Sequence, residues 1–480
     1  MLLQPAGPLA LLLSTALSLS SSVAATTPNI ISRYDRPSPS SPNVIPHTFP
    51  ESHDNPDSSP SSSPSSFQHR LHRRAPTTNS QFDITFKCPD SSAEQCQWAQ
   101  NGFERAGAYI SSLLTIPTQL KVHATFKSFC KNKPYDECGP TSSILGYAAP
   151  AAYFPARPST AILKAGSPLA ASWFLYPQAL VKQLRYDTDL QFATFDIVAD
   201  FNSDIRTWWF KDSPKPITAN QTDFDYVITH ELTHGLGWDT SLLSFDQVFT
   251  DIASKTTPYV APSVYFHGSS GAPVADAWTF LTSFDALIKD TKGRAVTDYL
   301  TPVQSWWGSD APNGDGEPNG LRSFIASFEA SGGPFSAAES LSKAIVAAPK
   351  SLRVNQNTSL FTVADDKNVG FEMGSSITHL DYTSYMNSQE FLMVPYDNNG
   401  RGTPLMDIVK RNNGTGVYGP ESLQIMRSMG WGIGGAPSAI DLTIGKNIQV
   451  GDAFSLAIRM EGGVLLGLAT GLLTTLVTLV

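Results

Sequence analysis

The chain has 480 residues, 41% of them hydrophobic, which is enough for one large domain or two ordinary ones. Its formal net charge is −9 with no basic patch, which argues against nucleic acid as a partner. Charged residues make up only 16%, a composition suited to a secreted surface solubilised partly by sugar.

Residues 1–25 read as a secretory signal peptide. Leu9 to Leu19 is a short apolar run, and Ser22-Val23-Ala24-Ala25 resembles a cleavage site, although no Lys or Arg precedes the run. A membrane-spanning helix needs a longer apolar stretch. Residues 26–74 are rich in Ser and Pro and hold too few apolar side chains to offset chain entropy, so a disordered pro-segment is expected. It ends at His69-Arg70-Leu71-His72-Arg73-Arg74, a dibasic pair that reads as a kexin-type processing site, with a solvated basic run as the alternative. Ala75 is then the first mature residue. The leader has no cysteine, so it has no thiolate with which to block a metal.

In the mature chain, Gln81 to Cys88 alternates and is β-rich, which predicts a strand. Ser91 and Glu94 form a capping box, and Cys96, Ala99, Phe103, Ala106, Ile110 and Leu113 recur at helical spacing behind it. Gln119 to Phe129 predicts a second strand, in which His123 reads as a cross-strand neighbour. All four cysteines, Cys88, Cys96, Cys130 and Cys138, fall in this part. In a secreted chain they imply disulfides of unreadable connectivity, and their spacing fits a zinc site poorly. Pro140 to Phe154 is rich in Gly, Ala and Pro. A short helix at Pro177 to Leu184 and a third, central strand at Leu190 to Phe201 follow.

The next element carries the chemistry. Asp223 is a candidate N-cap, and Tyr226, Val227 and Ile228 lead into His230-Glu231-Leu232-Thr233-His234, with Gly235 and Gly237 ending the helix. Histidines four apart share one helical face and can reach one metal ion, while Glu231 is placed to handle protons at its open position. The bland alternative is a polar helix face that happens to carry two histidines.

Beyond it, Val274 to Lys289 and Ala337 to Ala348 read as helices, with a Gly-, Asp- and Pro-rich loop at Asp310 to Gly320. Gly419-Pro420-Glu421 opens a helix that stops at Gly430. Asn220, Asn357 and Asn413 stand in N-glycosylation sequons. Residues 436–463 read as a linker. Residues 464–480 form an apolar tail with no basic flank beyond, and small residues from Gly451 match a GPI-attachment signal, a transmembrane anchor being the alternative.

A catalytic zinc takes three protein ligands and keeps one position for water. No glutamate occurs between Glu231 and Glu317, which argues against a thermolysin-like third ligand. Six residues after His234 stands Thr240 rather than histidine, with Asp239 before it as a ligand only if the geometry shifts by one residue. His267 and His379 are the histidines further downstream, and His379 lies in GSSITHLDYTSYMNSQEFLMVP, residues 374–395.

The HExxHxLGW helix, the long insertion, the segment around His379 and the EFLM segment together resemble the leishmanolysin-like metzincins. The resemblance spans roughly residues 75–431 and is specific around 226–238 and 374–393. It implies that His379 is the third zinc ligand and Met393 the Met-turn methionine. It implies an α+β fold: a zincin-like catalytic subdomain at 75–238 with a twisted mixed sheet and active-site helix. A larger, mostly helical or irregular subdomain at 239–435 would then supply the third ligand.

The expected function is a secreted or cell-surface, GPI-anchored zinc metalloendopeptidase. Zn2+ on His230, His234 and His379 activates water, and Glu231 is the general base for hydrolysis of a peptide substrate. Tyr382, Tyr385 and Tyr396 are candidate assistants. The alternative is a GPI-anchored wall or adhesion protein with an inactive zincin-like fold.

Overall fold

The computed structural model describes residues 80–131, 144–158, 173–186, 190–248, 258–267, 274–306, 320–355, 357–363, 370–372, 374–396 and 400–445, together with two strands at 30–35 and 45–49. The signal peptide, the dibasic site, Cys138, Gly451 and the apolar tail lie outside these residues. The fold is mixed α+β, as expected.

The leader departs from expectation. Its composition predicts disorder, yet β1 (Ile30–Asp35) and β2 (Ile45–Phe49) pair antiparallel. IISRYD and IPHTF are islands of β-branched and aromatic residues within the Ser/Pro background.

The amino-terminal half follows as β3 (Phe82–Lys87), α1 (Ala93–Ser111), β4 (Leu114–Thr115), β5 (Leu120–Lys127), β6 (Gly146–Pro150), β7 (Ala152–Pro158), β8 (Phe174–Pro177), α2 (Gln178–Val181), β9 (Arg185–Tyr186), β10 (Ile197–Asn202), β11 (Trp208–Trp209), β12 (Thr222–Asp223) and α3 (Phe224–Gly235). The cap of α1 falls one residue later than the expected box: Ser92 accepts from the Gln95 backbone N–H at 3.2 Å. Ala99, Phe103, Ala106 and Ile110 are buried, as their spacing predicted. Gly102 lets α1 approach α3 closely, since a Cβ there would meet Asp225, Ile228 and Phe224 at 3.1–3.2 Å. Across the same contact Arg105 grips the Asp225 carboxylate with two bonds of 2.6 and 2.8 Å.

The main sheet runs β3-β5-β10-β6, the first three strands parallel and β6 antiparallel at the edge. The strand expected at 190–201 is shorter than its apolar run, but it does lie inside the sheet. The Gly/Ala/Pro-rich stretch around 140–154, for which the composition suggested no strand, contributes both β6 and the start of β7. Small side chains suit it to a close approach: a Cβ on Gly146 would lie 2.6 Å from the Phe201 ring.

The second half holds β13 (Leu242–Ser244), α4 (Phe245–Val248), β14 (Val260–Pro262), β15 (Val264–His267), β16 (Val274–Trp278), β17 (Ile288–Asp290), α5 (Val296–Gln304), α6 (Gly320–Glu329), α7 (Gly333–Ile345), β18 (Leu352–Val354), β19 (Thr358–Ser359), α8 (Tyr382–Tyr385), α9 (Leu405–Arg411), α10 (Pro420–Met429), β20 (Gly432–Ile433) and β21 (Asp441–Ile444). The helix expected over Val274 to Lys289 is not formed. Its first part is β16, paired with β15, and its last is a 3-10 turn leading into β17. Long-range pairing and the packing of Trp278 against Phe245, Phe324 and Phe328 override the local pattern. The helix at 420–429 forms as read, with Pro420 in its first turn and Gly430 at φ 125° ending it.

The residues either side of 238 share one hydrophobic core. The stretch read as a linker from 436 contains β21, which pairs with β7 and β9. Among the described residues no helix is long and apolar enough to cross a membrane. Cys88 and Cys96 form a disulfide joining the end of β3 to the first turn of α1, which removes them from any zinc site, and Cys130 is disulfide-bonded as well. Asn220, Asn357 and Asn413 are all exposed, as carriers of sugar must be.

Candidate metal centre

The site is built on α3. Asp223 caps it, accepting from the Asp225 backbone N–H at 3.1 Å. Every residue of the helix is buried, so His230, Glu231 and His234 sit in the interior rather than on a solvated face. Gly235 and Gly237 are structural necessities at its end. A Cβ on Gly235 would lie 2.4 Å from Ile197, and Gly237 combines φ 104° with Pro177 only 2.5 Å from a Cβ position. That turn brings the Trp238 carbonyl back to the helix.

His379, 145 residues after His234, is folded onto the same spot. The three Nε2 atoms form a nearly equilateral triangle: 3.1 Å from His230 to His379, 3.2 Å from His230 to His234 and 3.3 Å from His234 to His379. Among the described residues this is the group of three able to hold a metal ion together. Each Nδ1 is engaged on the far side. His230 meets the Leu392 carbonyl at 2.6 Å, His234 the Trp238 carbonyl at 2.6 Å, and His379 the Ser375 carbonyl at 3.0 Å. An Nδ1–H that donates to a carbonyl leaves the Nε2 lone pair free, so three lone pairs converge on one point.

This arrangement fits a metal ion on its own terms. Converging lone pairs repel unless a cation lies between them, and a triangle of this size accommodates an ion about 2.0–2.1 Å from each nitrogen. Burial, reinforced by the neighbouring imidazole of His234, lowers the His230 pKa to about 3. Burial and the other two rings likewise hold His379 well below the ordinary histidine value. Both rings are therefore neutral ligands at neutral pH.

Glu231 is buried, and burial raises its pKa well above that of a free carboxyl, the Ala148 N–H opposing the shift. Its Oε2 accepts from the Ala148 backbone N–H of edge strand β6 at 3.2 Å, whereas Oε1 is buried with no hydrogen-bond partner among the described residues. A carboxylate oxygen left unpaired in the interior is costly unless something else uses it.

Met393 is buried in a 3-10 turn, Phe391–Met393, that lies against α3. The turn is tied to the helix through its carbonyls: Phe391 accepts from the Tyr226 hydroxyl at 3.2 Å and Leu392 orients His230. It is tied to the third histidine as well, since the Leu380 N–H donates to the Met393 carbonyl at 2.7 Å. Glu390, just before it, accepts from the Glu421 and Ser422 backbone N–H groups at the start of α10, both at 2.8 Å. The Trp238 indole N–H donates to the Thr378 carbonyl at 2.9 Å, locking the helix exit to the residue before His379.

Other candidates are placed elsewhere. Asp239 accepts from the Tyr153 hydroxyl at 2.8 Å and from the Thr240 N–H at 2.9 Å, and it is outside the three-histidine group. The Thr240 hydroxyl donates to buried Asp285. Tyr396 donates to Glu372 at 2.8 Å and Tyr385 to Glu421 at 3.1 Å, so both phenols are committed, while Tyr382 packs edge-on against Tyr396. His267 is a strand residue of β15. Nothing in the residue pattern points to the Leu392, Trp238 and Ser375 carbonyls or to the Ala148 N–H, because backbone groups carry no residue-specific signal.

Fold and site together define a mixed α+β protein with a buried three-histidine centre and an adjacent carboxylate. The family described as SPBPB7E8-like matches residues 65–444, and the chain belongs to it. A protein of Schizosaccharomyces pombe named "Uncharacterized protein PB7E8.01" is 28% identical over 172 residues. That stretch is 34% of this chain and 28% of the relative, so the match spans well under half of either protein. No solved structure matches the chain.

Proposed function

We propose that this protein is a zinc-dependent metalloendopeptidase of the leishmanolysin-like metzincin type, acting at the cell surface or outside the cell. The observation that carries the reading is the triangle of three Nε2 atoms, 3.1–3.3 Å apart, beside a buried carboxylate oxygen without a partner among the described residues. His230, His234 and His379 would hold the ion. When bound, zinc supplies an acidified water and a positive centre for the carbonyl oxygen of the scissile bond.

The remaining chemistry falls to the chain. Glu231 takes the proton of the attacking water on Oε1 and returns it to the leaving amine, a role suited to a carboxyl whose pKa burial has raised. The Ala148 N–H fixes the other oxygen, so the base presents one defined lone pair. Edge strand β6 offers backbone groups along which an extended peptide can lie. The three exposed sequons support a location at the cell surface or outside the cell.

The test is metal analysis combined with Glu231→Ala. Purified protein should carry about one zinc per chain, and the variant should keep the metal while losing at least about 100-fold in hydrolysis of an unstructured protein substrate. Hydrolysis that survives the substitution sinks the mechanism. A metal-free, inactive protein favours a binding protein built on an inert zincin-like frame.

A further inference from the structure

The leader strand lies against β7, the strand that follows β6 in the chain. β1 pairs antiparallel with β7, Tyr34 opposite Tyr153 and Asp35 opposite Ala152. Tyr153 is also paired with Pro177 of β8, and further along Ala156 is paired with both Phe174 of β8 and Ile444 of β21. β1 therefore takes the same side of β7 as β21, at the end nearest β6. One residue, Ala151, separates β7 from β6. β6 is the open edge of the main sheet: among the described residues no strand covers its outer side, and its Ala148 N–H contacts Glu231.

Direction matters as much as position. Because β1 runs antiparallel to β7, it travels from Tyr153 towards Ala152, which is towards the β6 end of β7, with Ala148 four residues before Ala152 in the chain. The strands also lie outside residues 65–444, the part matched by the family.

We propose that the leader is a ligand of the catalytic unit carried on its own chain: β1, backed by β2, docks by strand addition on the β7 edge and obstructs peptide access to β6 until it is displaced. The docking stands on the pairing alone, and the obstruction rests on the peptidase reading above. Main-chain hydrogen bonds supply the recognition, as they do wherever an extended segment joins a sheet edge.

The experiment uses the full chain with Arg73→Ala/Arg74→Ala, so that the expected processing site is removed and the leader stays attached in every sample, with and without Tyr34→Pro/Asp35→Pro. Proline cannot donate to a ladder, and two of them remove both paired positions. Amide hydrogen exchange is followed by mass spectrometry in the segment holding Ala152 and Tyr153, alongside hydrolysis of an unstructured protein. The proline pair should speed exchange there at least ten-fold and raise hydrolysis at least ten-fold, with the melting temperature of the body unchanged. Equal exchange overturns the docking, and faster exchange with unchanged hydrolysis overturns the obstruction. If neither sample hydrolyses anything, the peptidase reading fails, obstruction with it, and the exchange comparison still decides whether the leader docks.

Discussion

At the residue scale, the metal centre is a problem of aiming lone pairs. Three imidazoles converge because each Nδ1 is held by a carbonyl, from Leu392, Trp238 and Ser375. None of these is identifiable from residue type, whereas His230, Glu231 and His234 are identifiable at once from their spacing. His379→Ala should leave the helix pair intact but remove one of three ligands. Zinc bound per chain, measured by elemental analysis after dialysis against a weak chelator, should then fall from about one to near zero while far-UV circular dichroism is unchanged. Full retention of zinc by the variant would remove His379 from the centre. Ser92 shows a smaller lesson: the sequence pattern placed the cap at Ser91, and the backbone geometry chose the next serine.

Elements rather than residues decide how the site is closed. α3 ends in two glycines, and only the second has φ > 0, at 104°. An L side chain in that region costs about 1–2 kcal/mol before any clash, and Pro177 stands 2.5 Å from where its Cβ would be. Gly237→Ala should therefore lower the unfolding free energy by more than about 1.5 kcal/mol in urea denaturation, and it should weaken zinc binding because the Trp238 carbonyl would move. A variant as stable as the parent would show that this turn is not strained. The 3-10 turn at Phe391–Met393 is held as firmly from the other side, with Glu390 satisfying the first N–H groups of α10. Where elements were misread, the cause was non-local. Val274 to Trp278 has helix-compatible spacing but finds a partner strand, and β1 and β2 are too short to announce themselves within a Ser/Pro background.

For the whole molecule, the centre joins two distant parts of the chain, α3 and the segment around His379, across one shared core. A metal bound there cross-links them, and any ligand that binds only the folded state stabilises it by mass action, about 4 kcal/mol at a thousand times its dissociation constant. Chelation should accordingly lower the melting temperature by several degrees, and added zinc should restore it. A melting curve indifferent to both would argue that the three histidines hold no ion.

The sequence by itself determined the helix α3, its cap, its two histidines on one face, the burial pattern of α1 and the helix at 420–429. All are local: helical periodicity and capping are written within one or two turns. His379 was reached only through resemblance, because nothing local distinguishes a ligand from any other histidine. Tertiary structure alone decided that His379 meets His230 and His234, that β6 is the open edge beside Glu231, that β21 belongs to a sheet rather than a linker, and that the leader reaches β7. Those are contacts between residues far apart in the chain. Their formation depends on which surfaces remain to be buried or paired once the local elements exist, and no window of sequence contains that information.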